Sequence, residues 1–90
     1  MAALNATAVT ANTSADFTLV AGASTTLSLS GTGPLGLMCQ AQVQIKSAAA
    51  TYQTIAQLDS RNPMLVLSAI GTFRVVKGDN AAQAFGVERD

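Results

Sequence analysis

Five acidic side chains and one cysteine are the first candidates for catalysis in this 90-residue chain. A paired-carboxylate site needs two acids in a pocket that raises the pKa of one of them. The acids fall in or beside expected turns or close to the final residue, where a turn-forming or solvated role explains them: Asp16, Asp59, Asp79, Glu88 and Asp90. The chain has no histidine, so the most common general base and metal ligand is missing. We therefore expect no enzyme.

The other chemical patterns also predict no site. Cys39 is the single cysteine, which excludes an internal disulfide and, without histidine, a zinc site. Its position on an apolar strand face predicts a buried, unreactive thiol. Residues 31–36 match GxGxxG, but a phosphate-binding loop of that kind leads into a helix, whereas here Pro34 removes an N–H and a strand pattern follows. We expect a glycine-rich turn, with neither cofactor nor metal.

Two sequons, Asn5-Ala6-Thr7 and Asn12-Thr13-Ser14, would accept glycans in a secreted protein. The first residues contain no basic region and no continuous apolar core, so they do not predict a signal peptide. No apolar run approaches the ~18 residues that would predict a membrane span. We expect both sequons to be chance matches.

A row of glutamines is the feature that most favours a binding surface. Residues 35–46 alternate with a period of two, which is typical of a β-strand with one buried face. One face holds Leu35, Leu37, Cys39, Ala41, Val43 and Ile45, and the other holds Gly36, Met38, Gln40, Gln42, Gln44 and Lys46. Gln53 and Gln57 are expected on a neighbouring strand.

An amide side chain both donates and accepts hydrogen bonds without carrying a charge. A glutamine face is therefore buried against another subunit at a lower desolvation cost than a charged face. A solvated outer face or a sugar-binding surface also explains the row. The residues predicted to form a subunit interface are Val9, Met38, Gln40, Gln42, Gln44, Gln53 and Gln57.

The charge content limits the partners. Ten residues are charged, five of each sign, which is 11% of the chain, against roughly 25% in soluble domains. A neutral chain with five basic residues cannot form a basic stripe along a phosphate backbone, so we expect no nucleic acid partner. There is no basic amphipathic helix for a membrane surface. Depletion of charge is instead a property of interface cores.

Short strand patterns separated by turn signals about every 8–12 residues predict an all-β fold. We expect about seven strands in an antiparallel β-sandwich, jelly-roll or immunoglobulin-like, with a small β-barrel as the alternative. The continuous apolar run at 64–70 predicts a central strand. Residues 16–90 are expected to form the single sandwich domain. Residues 1–15 are expected to be an N-terminal arm or edge strand, and an arm would pair with a neighbouring subunit or a capsid surface.

The second half of the chain, residues 41–87, resembles small virion proteins of tailed bacteriophages of the head-decoration, or cement, type. The similarity is carried by a strand of the form VQIKSAAATYQTIAQL, by GTFRVVK, and by the last strand AFGVERD. The residues that carry it are Tyr52, Ile55, Gly71, Thr72, Phe73, Arg74, Val75, Gly86 and Val87.

The resemblance implies a protein without catalytic residues, made in the host cytoplasm and bound to the exterior of a capsid, which it stabilises. Its implied partners are the major capsid protein and copies of itself, as a dimer or trimer, with no nucleic acid, membrane or small-molecule substrate. The alternative is a receptor-binding or carbohydrate-binding sandwich of a phage fibre or tail. That alternative would expose aromatic side chains around Tyr52.

Overall fold

The computed structural model describes residues 2–31, 39–80 and 83–90. Nine strands in these residues form two antiparallel sheets, which confirms the prediction of an all-β, sandwich-like fold. The described residues contain no helix, and so none that is long and apolar enough to cross a membrane. The strands are β1 (Ala2–Ala8), β2 (Asn12–Thr13), β3 (Phe17–Leu19), β4 (Thr25–Gly31), β5 (Ala41–Lys46), β6 (Tyr52–Leu58), β7 (Met64–Leu67), β8 (Gly71–Lys77) and β9 (Phe85–Arg89).

Each sheet has two central strands and two edges. The order in the first sheet is β1-β9-β4-β7. In the second sheet β8 and β5 are central, β6 is one edge, and β2 and β3 both pair with the other side of β8. Ser14 joins these two short strands, because its N–H donates to the Val75 carbonyl at 2.9 Å and its hydroxyl oxygen accepts the Val75 N–H at 2.9 Å. Pairing along β8 therefore continues between β2 and β3.

Alternate residues of both sheets fill the space between them. On β4, for example, Leu27 and Leu29 are buried while Ser28 between them faces outward and is half-buried. A strand that buries every second residue supplies a core even where half of its side chains are hydroxyls. The buried apolar residues are Leu19, Leu27, Leu29, Cys39, Ala41, Val43, Leu58, Leu67, Phe73, Val75, Phe85 and Val87.

Two strands differ from the sequence expectation. β7 is an edge strand, so the prediction of a central strand at 64–70 is wrong. Met64 and Val66 are 63% and 65% exposed, whereas Leu67 is buried, because a strand with one face outside alternates even within an apolar run. The long strand begins at Ala41. Residues 35–38 of the expected strand lie outside the described residues.

The N-terminal segment lies along the first sheet. β1 is an edge strand that pairs antiparallel with β9, with register shifts on both sides of Asn5. Asn5 is 2% exposed, and its side-chain nitrogen donates to the Val75 carbonyl at 3.1 Å and to Oδ1 of Asn12 at 2.7 Å. These bonds link β1 to the second sheet, so residues 2–8 have partners within the chain. The buried Asn5 amide has no room for a glycan, which supports the interpretation of its sequon as a chance match.

Candidate functional site

The outward side of the second sheet carries the glutamine row. Residues directly opposite one another on antiparallel strands share a face. Gln42 lies between Gln57 of β6 and Val76 of β8, on the side opposite the buried core. We call this surface the amide face. Its residues are Thr13, Gln42, Gln44, Lys46, Tyr52, Thr54, Gln57, Arg74 and Val76.

A β-bulge in β6 separates the two glutamines of that strand. Ile55 has no counterpart on β5, so the alternation of β6 changes phase at this residue. Gln57 is opposite Gln42 on the amide face, whereas Gln53 is opposite Ile45 on the inward side of the sheet. Both glutamines lie on the strand next to β5, as expected. Only Gln57 belongs to the same surface as the glutamines of β5.

Two further interface candidates lie beside the turn that follows β8. Gln40 is exposed just before β5, and its carbonyl oxygen accepts the N–H of Gly78 at 3.0 Å. Val9 is 43% exposed just after β1, and its carbonyl oxygen accepts the N–H of Asn80 at 2.8 Å. Met38 lies outside the described residues.

Four side chains of the amide face form a hydrogen-bonded chain across β6, β5 and β8. Gln44 donates to the Thr54 hydroxyl at 3.3 Å, and that hydroxyl donates to Oε1 of Gln42 at 3.4 Å. Arg74 Nε donates to Oε1 of Gln44 at 2.7 Å. These bonds hold the side chains in place before any partner binds, which lowers the entropic cost of association.

Tyr52 extends across the amide face to the opposite edge of the sheet. Its hydroxyl donates to Oδ2 of Asp16, between β2 and β3, at 2.7 Å. The guanidinium carbon of Arg74 lies 3.6 Å from the centre of the Tyr52 ring, a cation–π contact. The hydrogen bond to Asp16, burial and the Asp16 charge raise the pKa of Tyr52 above its ordinary value of 10.0, against a smaller opposing effect of Arg74.

The titration of Tyr52 tests this cross-face contact. Tyr52 is the only tyrosine and there is no tryptophan, so the ultraviolet absorbance of the phenolate reports on this one group. We expect the midpoint to lie above 10.0 in the wild type. Asp16→Ala should move it down towards the ordinary value, because the acceptor and its negative charge are lost.

The sign of the stability effect follows from the same shift. The folded state favours the neutral phenol, so the contact stabilises the fold below the unfolded-state pKa and is lost as pH rises through the higher folded-state pKa. Glu88→Ala, which removes an acid from the first sheet, serves as the control and should leave the Tyr52 midpoint unchanged. Equal midpoints in the wild type and Asp16→Ala would show that the hydroxyl is not bound to Asp16 in solution.

A shallow depression of about 290 Å³ lies at one end of the amide face. Next to it, a second depression of about 260 Å³ shares Gln40 and is also lined by residues 59–61. Amide, aliphatic and backbone groups make up most of the first lining, which consists of Ala11, Gln40, Gln42, Gln57, Val76, Lys77 and Gly78. Three of the predicted interface glutamines therefore border one recess.

Three of the carboxylates accept hydrogen bonds from backbone N–H groups. Asp59 accepts two backbone N–H groups of the following turn at 2.9 Å each, and Asp79 accepts the N–H of Ala11. Asp90 accepts the Thr26 N–H at 2.7 Å, and the hydrogen bonds from Thr26 and its neighbour hold the pKa of Asp90 below its ordinary value of 3.8. Within residues 2–31, 39–80 and 83–90, no group of three or more His, Cys, Asp or Glu side chains could hold a metal ion.

A buried lysine was missed by sequence reasoning. Lys77 ends β8 with its side chain 0% exposed; Nζ donates to the Ala8 carbonyl at 2.7 Å and lies 4.3 Å from the centre of the Phe85 ring. Burial lowers the pKa of Lys77 below its ordinary value of 10.5. The signal was present in the sequence, because a period of two places Lys77 on the same inward side as Val75.

Cys39 lies near this lysine at the same end of the sandwich. Its side chain is fully buried, which confirms the expected burial. The sulfur accepts a hydrogen bond from the Asn80 side chain at 3.3 Å and donates one to Oε1 of Gln83 at 3.4 Å. The thiol is therefore enclosed by the fold and does not contribute to the amide face.

The fold and this surface define a small all-β protein of two antiparallel sheets, whose amide face carries amides and hydroxyls in place of most charges. Comparisons with protein-family models, with curated proteins and with solved structures found no match.

Proposed function

We propose that this protein is a structural subunit that decorates and stabilises a phage capsid, bound on the exterior of the shell to the major capsid protein and to copies of itself. The observation that carries the proposal is the amide face, a pleated surface three strands wide on which Gln42, Gln44, Thr54 and Arg74 are joined by hydrogen bonds. It acts by contact alone, as a non-enzymatic protein.

The energetics of burial favour contact through this face. Removing an isolated charge from water is far more costly than removing an amide that finds a hydrogen-bond partner. The two cations of the face have different surroundings: Arg74 is bonded to Gln44 and stacked on Tyr52, whereas Lys46 is exposed at the end of β5. A partner that offers backbone or amide groups would satisfy the remaining donors and acceptors.

The resemblance to head-decoration proteins supports the virion assignment. Two of the residues that carry the resemblance lie on the amide face: Tyr52 in β6 and Arg74 in β8. The cation–π contact between these two side chains holds both of them in place on the amide face. A protein of this kind is made in the host cytoplasm and assembles onto the capsid exterior.

The aromatic side chains give little support to the carbohydrate-binding alternative, because their rings are buried or already in contact with other side chains. Such sites commonly use exposed rings, but Phe73 and Phe85 are buried. The Tyr52 ring is stacked with Arg74, and its hydroxyl is bonded to Asp16. The Phe17 ring is stacked with Arg89 and also packs on Phe73.

Charge placed on the amide face tests the proposal. We expect the double variant Gln42→Lys and Gln57→Lys to bind capsid shells at least about tenfold more weakly than the wild type, a change of about 1.4 kcal/mol, because two like charges would be buried together. The shells are assembled from the major capsid protein encoded in the same genome, and binding is measured by co-sedimentation.

The matched control places one lysine on the other sheet. Val66→Lys changes an exposed residue of the first sheet and should leave shell binding unchanged. Thermal unfolding checks that all variants fold. Wild-type protein that never sediments with shells would contradict the capsid assignment, and equal binding by the double variant would exclude the amide face as the contact surface.

A further inference from the structure

The free edge of the second sheet is the least protected strand edge among the described residues. β6 is seven residues long, and no strand among the described residues pairs with its outer side. Edge strands present unpaired N–H and C=O groups, and proteins protect them with short length, charge, proline or irregular backbone. The sequence of β6, YQTIAQL, contains no charge and no proline.

The other edges each carry such protection. β7 has four residues and follows Pro63. β2 and β3 have only two and three residues, and the charged Asp16 lies between them. β1 is also seven residues long, but its pairing with β9 has two register shifts, against one in the pairing of β6 with β5. β6 is therefore the edge best suited to pairing with another strand.

The geometry points to a second copy of this chain as the partner of β6: we propose that two copies pair antiparallel through β6 about a two-fold axis near Ile55, which joins their second sheets into one. This inference rests on the proposed function and names the contact between subunits. An antiparallel edge is complementary to itself, since each strand supplies both donors and acceptors. The uncharged sequence ensures that the two-fold axis brings no like charges together.

The register follows from the position of the axis. Paired residues share a face, so an axis next to Ile55 places the outward Thr54 opposite Gln57 of the second copy and brings the two Ile55 side chains close together. Ile55 is 46% exposed and has no counterpart on β5, which leaves it free for a contact across the axis. The Thr54 hydroxyl and the Gln57 amide that meet on either side of the axis can bond to each other. The bulge adds the same twist to both strands, because a two-fold axis relates them.

Disulfide trapping tests this arrangement. Facing residues of an antiparallel pair have Cα atoms about 4.5–5.5 Å apart, so Ile55 and its copy, one position from direct opposition, lie within the range of about 4.4–6.8 Å that a disulfide spans. We expect Ile55→Cys to form a covalent dimer rapidly under mild oxidation. Cys39 is buried and does not compete. Val66→Cys, at a residue that is 65% exposed on the β7 edge, is the matched control and should remain mostly monomeric.

A second variant tests the contact without a cross-link. Ile55→Lys places like charges together at the axis and should weaken dimerisation at least tenfold in sedimentation equilibrium, with an unchanged melting temperature. The proposal is overturned if Ile55→Cys cross-links no faster than Val66→Cys, or if Ile55→Lys dimerises as well as the wild type. If the wild type still binds shells in the co-sedimentation assay, the proposed function stands without this dimer. If it neither dimerises through β6 nor binds shells, both proposals are wrong.

Discussion

Replacing Gly86 with alanine is expected to lower the free energy of unfolding by about 2–3 kcal/mol, the effect of overpacking a close contact. A Cβ at Gly86 would collide with the carbonyl oxygen of Asn5 and lie 3.0 Å from the Thr7 nitrogen, and both are backbone atoms of β1. Backbone cannot move aside as a flexible side chain can, so β1 must shift away from β9. That shift also strains the hydrogen bond that the Asn5 side chain donates to the Val75 carbonyl.

Denaturant unfolding measures the loss, and hydrogen exchange locates it. We expect the amides of residues 2–8 to exchange faster in Gly86→Ala, with the central strands of the second sheet little changed. The matched control is Gly78→Ala, where the new Cβ would lie an ordinary 3.4 Å from the Gln40 carbonyl oxygen. If both alanine variants are as stable as the wild type, β1 does not lie against Gly86 in solution.

Replacing Phe85 with alanine is expected to cost about 3–5 kcal/mol, the range for large-to-small changes in a core. The Phe85 ring is 0% exposed and lies against the Lys77 ammonium group. Its removal loses apolar burial and also the cation–π contact of a buried charge. Small domains have total stabilities of about 5–15 kcal/mol, so this variant should be close to unfolding at room temperature.

Phe17→Ala is the comparison for this prediction. Phe17 is half-buried at the edge of the core, so its loss should cost less than that of Phe85. Phe85→Leu keeps most of the apolar volume and should recover most of the stability lost in Phe85→Ala. Chemical denaturation of the three variants gives the order of their free energies of unfolding directly. A Phe85→Ala protein as stable as Phe17→Ala would contradict the placement of Phe85 in the core.

The sequence predicted the fold class because alternation is a local signal. β4 buries every second residue, as its pattern of apolar and polar residues indicates. The face assignment of Gln42 follows from the same period, since Val43 beside it is buried. These features depend on neighbours in the chain and need no knowledge of which strands pair.

Features that depend on strand pairing could not be predicted. The bulge at Ile55 changes the phase within β6, so that Gln53 and Gln57 face opposite sides. No residue type at this position signals the extra residue. The contact between Tyr52 and Asp16 joins positions 36 residues apart in sequence across the whole sheet. Such a contact depends on the strand order, which local patterns do not contain.

The edge position of β7 could not be predicted from the sequence either. Its apolar run is the pattern expected for a strand with both faces covered, yet Met64 and Val66 face outward. For Lys77, by contrast, the local pattern was informative, because the period of two along β8 places its side chain inside the sandwich. Its charge made an inward position unexpected. The carbonyl of Ala8 and the ring of Phe85, which accommodate it, come from other strands.

Sedimentation equilibrium of the purified protein tests most directly the claim that it acts by association through surfaces with few charges. The account predicts a wild-type mass of twice 9.1 kDa, and a mass closer to 9.1 kDa for Ile55→Lys, whose charge lies at the proposed axis. A wild-type mass of 9.1 kDa at every concentration, together with a failure to bind shells, would contradict it.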